Sequence, residues 1–461
     1  MRIQKGERVN IVKLHHYRLM DKNGKKIGLA LSGGGYRAAA YHIGTLRALH
    51  KLGILDKVDI ISSVSGGSIT AAYYALHKDD FEEFEKAIMV KLQRGVLGWT
   101  IAILIIECLA LAGLHGWLVS LVIDCCGLCM GWKCVFIIAL SFVVLAIIIL
   151  LMHKIVPTSC LIEKVYACRF FDNKTLTDMP ETPVIAMNAT DVELNRLFTF
   201  SQIKVDAAEQ YEEGYFKNKE IPISLAVMAS SAYPMFAPVH IPRKYISDDC
   251  KQSPILVDGG IYDNQGAHKL TERGDYHTDY IVVSDAGNTE MNRKGTWNIA
   301  SLLFKVINLM MNRIDKMQRR DNLYMRKKID DINQKYPQYA YVVLEWLPTN
   351  KNLIGAFVDN ISSGYVPRYV CERHGLNDVL IKRVLGGDKM AKLEVQEIVE
   401  KHIHWDELYK SQPNEDIIDK ARNVGTNLLG LSKCKIDALI KCAEWMTEVQ
   451  VRTYLPNLIQ E

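Results

Sequence analysis

The chain has almost no net charge: 56 lysines and arginines against 52 aspartates and glutamates leave +4 over 461 residues. So even a balance gives no electrostatic footprint for nucleic acid, and none is expected as a partner. An apolar leader is also missing from the opening Met1-Arg2-Ile3-Gln4-Lys5-Gly6-Glu7-Arg8, so secretion by that route is not expected. Without it, the eleven cysteines do not read as a disulfide framework. No internal repeat or low-complexity tract stands out. The thirteen histidines are scattered, with His15-His16 near the start and His402 and His404 late, and none has neighbours that mark a base or a metal ligand. Mean hydropathy is nevertheless +0.00, high for a soluble protein, and one region accounts for it.

That region lies between Gly95 and Pro157, where residues 101–123 and 134–152 form two apolar runs around a short connection. At 1.5 Å per residue they would reach roughly 34 and 28 Å, close to a hydrocarbon core of ~30 Å. Glu107 opposes insertion by about 3 kcal/mol, while the Ile, Leu and Val of the same run return about 4–8 kcal/mol. Lys86, Lys91 and Arg94 precede the pair and Lys154 follows it. This distribution predicts a two-helix membrane hairpin with both ends, and the rest of the chain, on the cytosolic side; the alternative is a pair of buried core helices. Cys125, Cys126, Cys129 and Cys134 lie in or beside the connection, where zinc binding, acylation or plain packing stay open.

The flanking sequence alternates strand and helix, as parallel α/β architecture demands. Ile27–Leu31 reads as a buried strand running through Ser32-Gly33-Gly34-Gly35-Tyr36-Arg37 into an alanine-rich helix. Val58–Val64 ends in Ser65-Gly66-Gly67-Ser68 and feeds a second helix. Where a strand turns sharply into a helix about a nucleophile, small residues are needed two positions before and after it; here these are Ser63 and Gly67. Ser62, Ser63 and Ser68 are rival hydroxyls, but only Ser65 is at the apex. The loop Gly33-Gly34-Gly35-Tyr36-Arg37-Ala38 also fits a dinucleotide fingerprint, yet the acid that should close the following strand is replaced by the serine turn. Three successive glycines can instead aim bare amides at a developing oxyanion. For a base, Asp258 is placed at the end of the short strand Ile255–Val257, before Gly259 and Gly260. Arg37 can hold the glycine loop or favour an anionic head group.

These motifs, with Asn188-Ala189-Thr190-Asp191, Ala229-Ser230-Ser231-Ala232-Tyr233-Pro234 and Val283-Ser284-Asp285-Ala286-Gly287, resemble the patatin-like phospholipases of bacterial type. Ser63 and Ala38 depart from glycines usual in that family. The resemblance implies an α/β fold with a three-layer α/β/α core, a Ser65–Asp258 dyad without histidine, an oxyanion hole from Gly33, Gly34 and Gly35, and an acyl-enzyme. The supporting residues would be Arg37, Ser63, Gly67, Gly259 and Gly260.

The expected organisation is an arm (1–23), a first catalytic part (24–94), the hairpin (95–157), a second catalytic part (158–347) and a helical C-terminal region (365–461). The expected function is a membrane-anchored acyl hydrolase of phospholipids or lysophospholipids. It would need no cofactor or metal and would take its substrate from the bilayer; a homo-oligomer is compatible with this. A catalytically silent membrane adaptor and a nucleotide-binding protein are the alternatives.

Overall fold

The computed structural model describes residues 24–125, 130–155, 158–206, 215–217, 220–234, 236–248, 250, 253–272, 274–287, 299–326, 337–347 and 352–459. The arm 1–23, His15-His16, Cys126 and Cys129 lie outside them, as do the side chains of Glu107 and Cys125.

Among the described residues a nine-stranded mixed sheet forms the centre. Its strands are β1 (Ile27–Leu31), β2 (Ile60–Val64), β3 (Val184–Asp191), β4 (Arg196–Phe200), β5 (Val205–Asp206), β6 (Val239–His240), β7 (Ile255–Asp258), β8 (Tyr280–Asp285) and β9 (Gln338–Val343). They run in the order β5-β4-β3-β2-β1-β8-β9, with β7 against β3 and β6 against β7. The segment from β3 through β9 is parallel, and β4 to β7 add antiparallel pairs.

Successive residues of the inner strands go to opposite faces. Leu29, Leu31, Ile61, Val282 and Ala340 join the larger apolar cluster, whereas Ala30, Ile60, Ile281, Val283 and Tyr341 join the smaller one on the other side. Burial on both faces is why these strands read as unbroken apolar runs.

Helices α1 (Gly35–Lys51) and α2 (Gly66–Leu76) follow β1 and β2 on the larger-cluster side. Helix α3 (Phe81–Gln93) starts where the Asp80 carboxylate accepts from the Glu83 amide. Then come α4 (Val96–Cys125), α5 (Met130–Ile155), α6 (Thr158–Arg169), α7 (Ile223–Ser230), α8 (His268–Thr271) and α9 (Ile299–Arg326). The chain ends in α10 (Leu353–Ser362), α11 (Arg368–Arg373), α12 (Asp378–Leu385), α13 (Lys389–His402), α14 (Trp405–Lys410), α15 (Glu415–Arg422) and α16 (Lys433–Tyr454). Helix α16 lies on α1 at a crossing that Gly44 permits: a Cβ there would come within 2.2 Å of the Ile440 carbonyl oxygen. Arg47 reaches Glu444 at 3.0 Å across the same contact.

The apolar runs form the antiparallel pair α4 and α5, joined where Ser141 Oγ meets His115 Nε2 at 3.2 Å. Among the described residues no helix is long and apolar enough to cross a membrane. The transmembrane hairpin and the two-span membrane localisation expected from the sequence are therefore corrected. Described residues break the apolar stretches with Gly113, His115, Gly116 and Ser120 in α4 and with Ser141 in α5. The Glu107 balance used in the insertion arithmetic falls on a side chain outside the described set.

Candidate active site

Strand β3 explains how residues far apart in sequence meet. Its Asn188 pairs with Val64 of β2, and the next residue, Ala189, pairs with Asp258 of β7, while β4 takes the opposite edge along both. The ends of β2 and β7 therefore meet on one edge of β3, against two consecutive residues.

Ser65 follows β2 and caps α2 with φ 51° and ψ −118°. A side-chain-bearing residue in that region is strained, which aims its hydroxyl out of the strand-to-helix turn. The turn is tight: a Cβ on Gly67 would lie 2.4 Å from the Leu31 carbonyl oxygen. Ser65 N–H donates to both the carbonyl oxygen (3.1 Å) and the hydroxyl (2.9 Å) of Ser230. Ser230 Oγ also meets Ser68 Oγ at 2.8 Å and donates to the Asn188 carbonyl at 2.6 Å, and Ser68 Oγ meets Ser63 Oγ at 3.0 Å. Serine at position 63 is thus accommodated by a hydroxyl chain beneath the turn. The rival hydroxyls are fully buried in such bonds, Ser62 accepting from Asn188 Nδ2 at 2.9 Å, while Ser65 keeps 8 % exposure.

Asp258 is 4 % exposed. Burial raises its carboxyl from the ordinary range to about 6, against the opposing hydrogen bonds from Gly260 N–H and the Ser65 hydroxyl. The Gly260 bond is 2.8 Å, and Thr190 Oγ1 donates to the Asp258 carbonyl at 3.0 Å. Gly259 is required by close approach, since a Cβ would fall 2.2 Å from the Asn188 carbonyl oxygen.

In the glycine loop the three amides differ. Gly33 N–H is engaged by the Asn264 carbonyl oxygen at 2.9 Å. Among the described residues no acceptor takes the Gly34 or Gly35 amide, and both lie at the start of α1. Gly34 and Gly35 have φ 138° and 60°, values that favour glycine. Arg37 is buried and donates through Nη1 to the Val424 carbonyl at 3.3 Å, which is the loop-holding role. Burial lowers its guanidinium to about 10, with Asp285 opposing.

Two supports were not read from the sequence. His42 lies behind the loop, with Nε2 at 2.9 Å from the Ser32 carbonyl oxygen and Nδ1 at 2.8 Å from Ser284 Oγ. Burial holds its imidazole down to about 4, so it is uncharged at neutral pH. The C-terminal region supplies the second support: the Asn427 carbonyl accepts Tyr36 N–H at 2.9 Å, as Val424 accepts Arg37. The available signal for His42 was its place, two turns into the helix that the glycine loop opens; Asn427 gave none.

The patatin-like phospholipase family model matches residues 29–270, more than half of the chain. The chain belongs to the patatin-like phospholipase family. Its patatin-like stretch contains the end of β1, the glycine loop, Ser65 and Asp258. Lysophospholipase NTE1 of Pyricularia oryzae is 48 % identical over 56 residues, 12 % of this chain and 4 % of that protein. A patatin-like phospholipase domain-containing protein of Aspergillus oryzae is 41 % identical over 84 residues, 18 % of this chain and 11 % of that protein. The chain therefore matches only a small part of the length of these curated relatives. Human GIVD cytosolic phospholipase A2 in complex with methyl gamma-linolenyl fluorophosphonate and terbium chloride aligns over 94 % of this chain and 59 % of that one. Its identity is 13 % and its TM-score 0.43, a similarity too low to carry an argument.

Proposed function

We propose that this patatin-like protein is a serine acyl hydrolase that cleaves carboxylic esters of phospholipids or lysophospholipids through a Ser65–Asp258 dyad. One observation supports the reading: a strained serine at a strand-to-helix turn stands beside a buried carboxyl, which burial raises to about 6 against a hydrogen bond from that serine. In the proposed reaction Asp258 takes the Ser65 proton as Oγ attacks the ester carbonyl carbon. The tetrahedral oxyanion is received by the amides of Gly34 and Gly35, helped by the positive end of α1. Collapse breaks the ester bond, and Asp258 returns the proton to the departing alcohol oxygen. Asp258 then takes a proton from water, which attacks the acyl-enzyme; collapse breaks the bond to Ser65 Oγ, Asp258 returns the proton to that oxygen, and the fatty acid leaves. A carboxylate near pKa 6 is better matched to this work than one in the ordinary range.

The test is hydrolysis of phosphatidylcholine and lysophosphatidylcholine by the purified full chain, with labelling by a fluorophosphonate probe. The reading requires fatty-acid release and labelling, both lost in Ser65→Ala. Equal release by wild type and variant, or none by either, overturns it; the second result favours the silent adaptor.

A further inference from the structure

We infer that Asn264 is a positioning residue, a wedge whose side-chain amide sets the spacing between the glycine loop and the Asp258 turn while Asp315 of α9 holds its orientation. This rests on the dyad reading above and adds to it a residue that touches no substrate.

Three contacts place the wedge. The Asn264 backbone carbonyl accepts Gly33 N–H at 2.9 Å, which fixes the first residue of the glycine loop. The side-chain oxygen Oδ1 then lies where a Cβ would fall on two different glycines. A Cβ built on Gly33 would lie 2.3 Å from Oδ1, and one built on Gly260 would lie 2.6 Å from it. One amide therefore separates the loop that presents the Gly34 and Gly35 amides from the turn whose Gly260 N–H binds the Asp258 carboxylate at 2.8 Å. The wedge also gives a physical reason for glycine at both 33 and 260: a methyl group at either position would occupy the space of Oδ1.

The third contact orients the amide. Asn264 Nδ2 donates to Asp315 Oδ2 at 3.3 Å, and Asp315 is only 6 % exposed. Helix α9 grips the same loop twice more, through Gln265 Nε2 to the Asp315 carbonyl at 3.4 Å and Gln318 Nε2 to the Tyr262 carbonyl at 3.2 Å. With Nδ2 held by α9, Oδ1 must face the two glycines. An acyl-transfer site is sensitive to this spacing, because misplacement by about 1 Å can cost 10²-fold in rate.

The test exchanges the two polar groups. Asn264→Asp sets a carboxylate against Asp315, and we expect kcat on lysophosphatidylcholine to fall at least tenfold with KM within twofold. Fluorophosphonate labelling of Ser65 should slow in parallel. Joining it to Asp315→Asn restores a complementary pair with its polarity reversed and should bring kcat back to within about threefold of wild type, a rescue that a merely structural role would not give. Should Asn264→Asp not fold, Asp315→Leu removes the acceptor from α9 and should lower kcat at least threefold at unchanged KM. Wild-type kcat in the variant that folds, or a double variant as slow as Asn264→Asp, overturns the wedge while Ser65-dependent hydrolysis persists. A wild type that neither hydrolyses lipid nor labels at Ser65 overturns the dyad and the wedge together.

Discussion

The two halves of the proposed dyad are held by different physics. Ser65 is set by the backbone: a positive φ, a tight strand-to-helix turn and a hydroxyl chain through Ser230, Ser68 and Ser63. Asp258 is set by burial and by its hydrogen bonds from Gly260 and Ser65, and it reaches the site through pairing with β3. The serine half is thus a matter of shape, which a substitution can leave standing while removing one atom. The aspartate half is a matter of charge in a dry place, which responds to pH. Each prediction below acts on one half and asks whether the other notices.

The largest effect falls on the serine half. Ser65→Ala removes the attacking oxygen and leaves the turn, so kcat should fall by roughly 10⁴-fold or more, in line with nucleophile removal elsewhere. The melting temperature should hardly move. A residual rate within tenfold of wild type would mean that another group attacks and that the turn serves another purpose.

The aspartate half should govern the acid limb. Only the carboxylate can take the serine proton, so kcat/KM should rise about tenfold per pH unit up to about 6 and level off above it. Initial rates on a neutral ester from pH 4 to 9 would show this. A break near the ordinary carboxylate range, around pH 4, would mean that burial does not tune Asp258.

The same division explains what was legible in the sequence. The Ser65 turn is written in consecutive residues, and small residues at 63 and 67 declare it. Strands β1 and β8 were plain for the same reason, since burial on both faces leaves short apolar runs between turns. The proposed partnership with Asp258 was not written in this way: it depends on β2 and β7 meeting end to end along one edge of β3, and a pairing order leaves no mark in either strand. The glycine loop was half legible. Three glycines announced a close approach, but only Asn264, folded back from a distant loop, shows that the first amide is already engaged. Residues beyond 365 carried no motif, yet Val424 and Asn427 brace the glycine loop through backbone carbonyls, and a carbonyl has no sequence signature. The apolar hairpin failed differently, because composition was read as environment.

A smaller effect should join the halves. Ser230→Ala keeps the carbonyl that accepts Ser65 N–H but deletes the hydroxyl that also accepts it and donates to Asn188. Leaving buried partners unsatisfied costs about 1–3 kcal/mol. Denaturant unfolding should show that loss, with kcat reduced roughly tenfold by the loosened turn. An unchanged acid limb would show that the support belongs to the serine half alone; a shifted limb would mean that the network also holds Asp258.

The smallest effect is on stability alone, and it has the opposite sign. Asp258→Asn should abolish hydrolysis yet stabilise the fold at pH 8. Burial raises the Asp258 carboxyl above its unfolded value, so the folded state binds a proton more tightly than the unfolded chain. The native acid's contribution is therefore full below about pH 4 and lost as pH rises through about 6, whereas a neutral amide escapes that loss. The variant should melt roughly 2–4 °C above wild type at pH 8, with the advantage shrinking between pH 6 and 4 and absent at pH 4. Thermal melts of both proteins across that range would read it. An advantage that persists at pH 4 would assign the gain to packing, and Asp258 would then be held by shape, as Ser65 is.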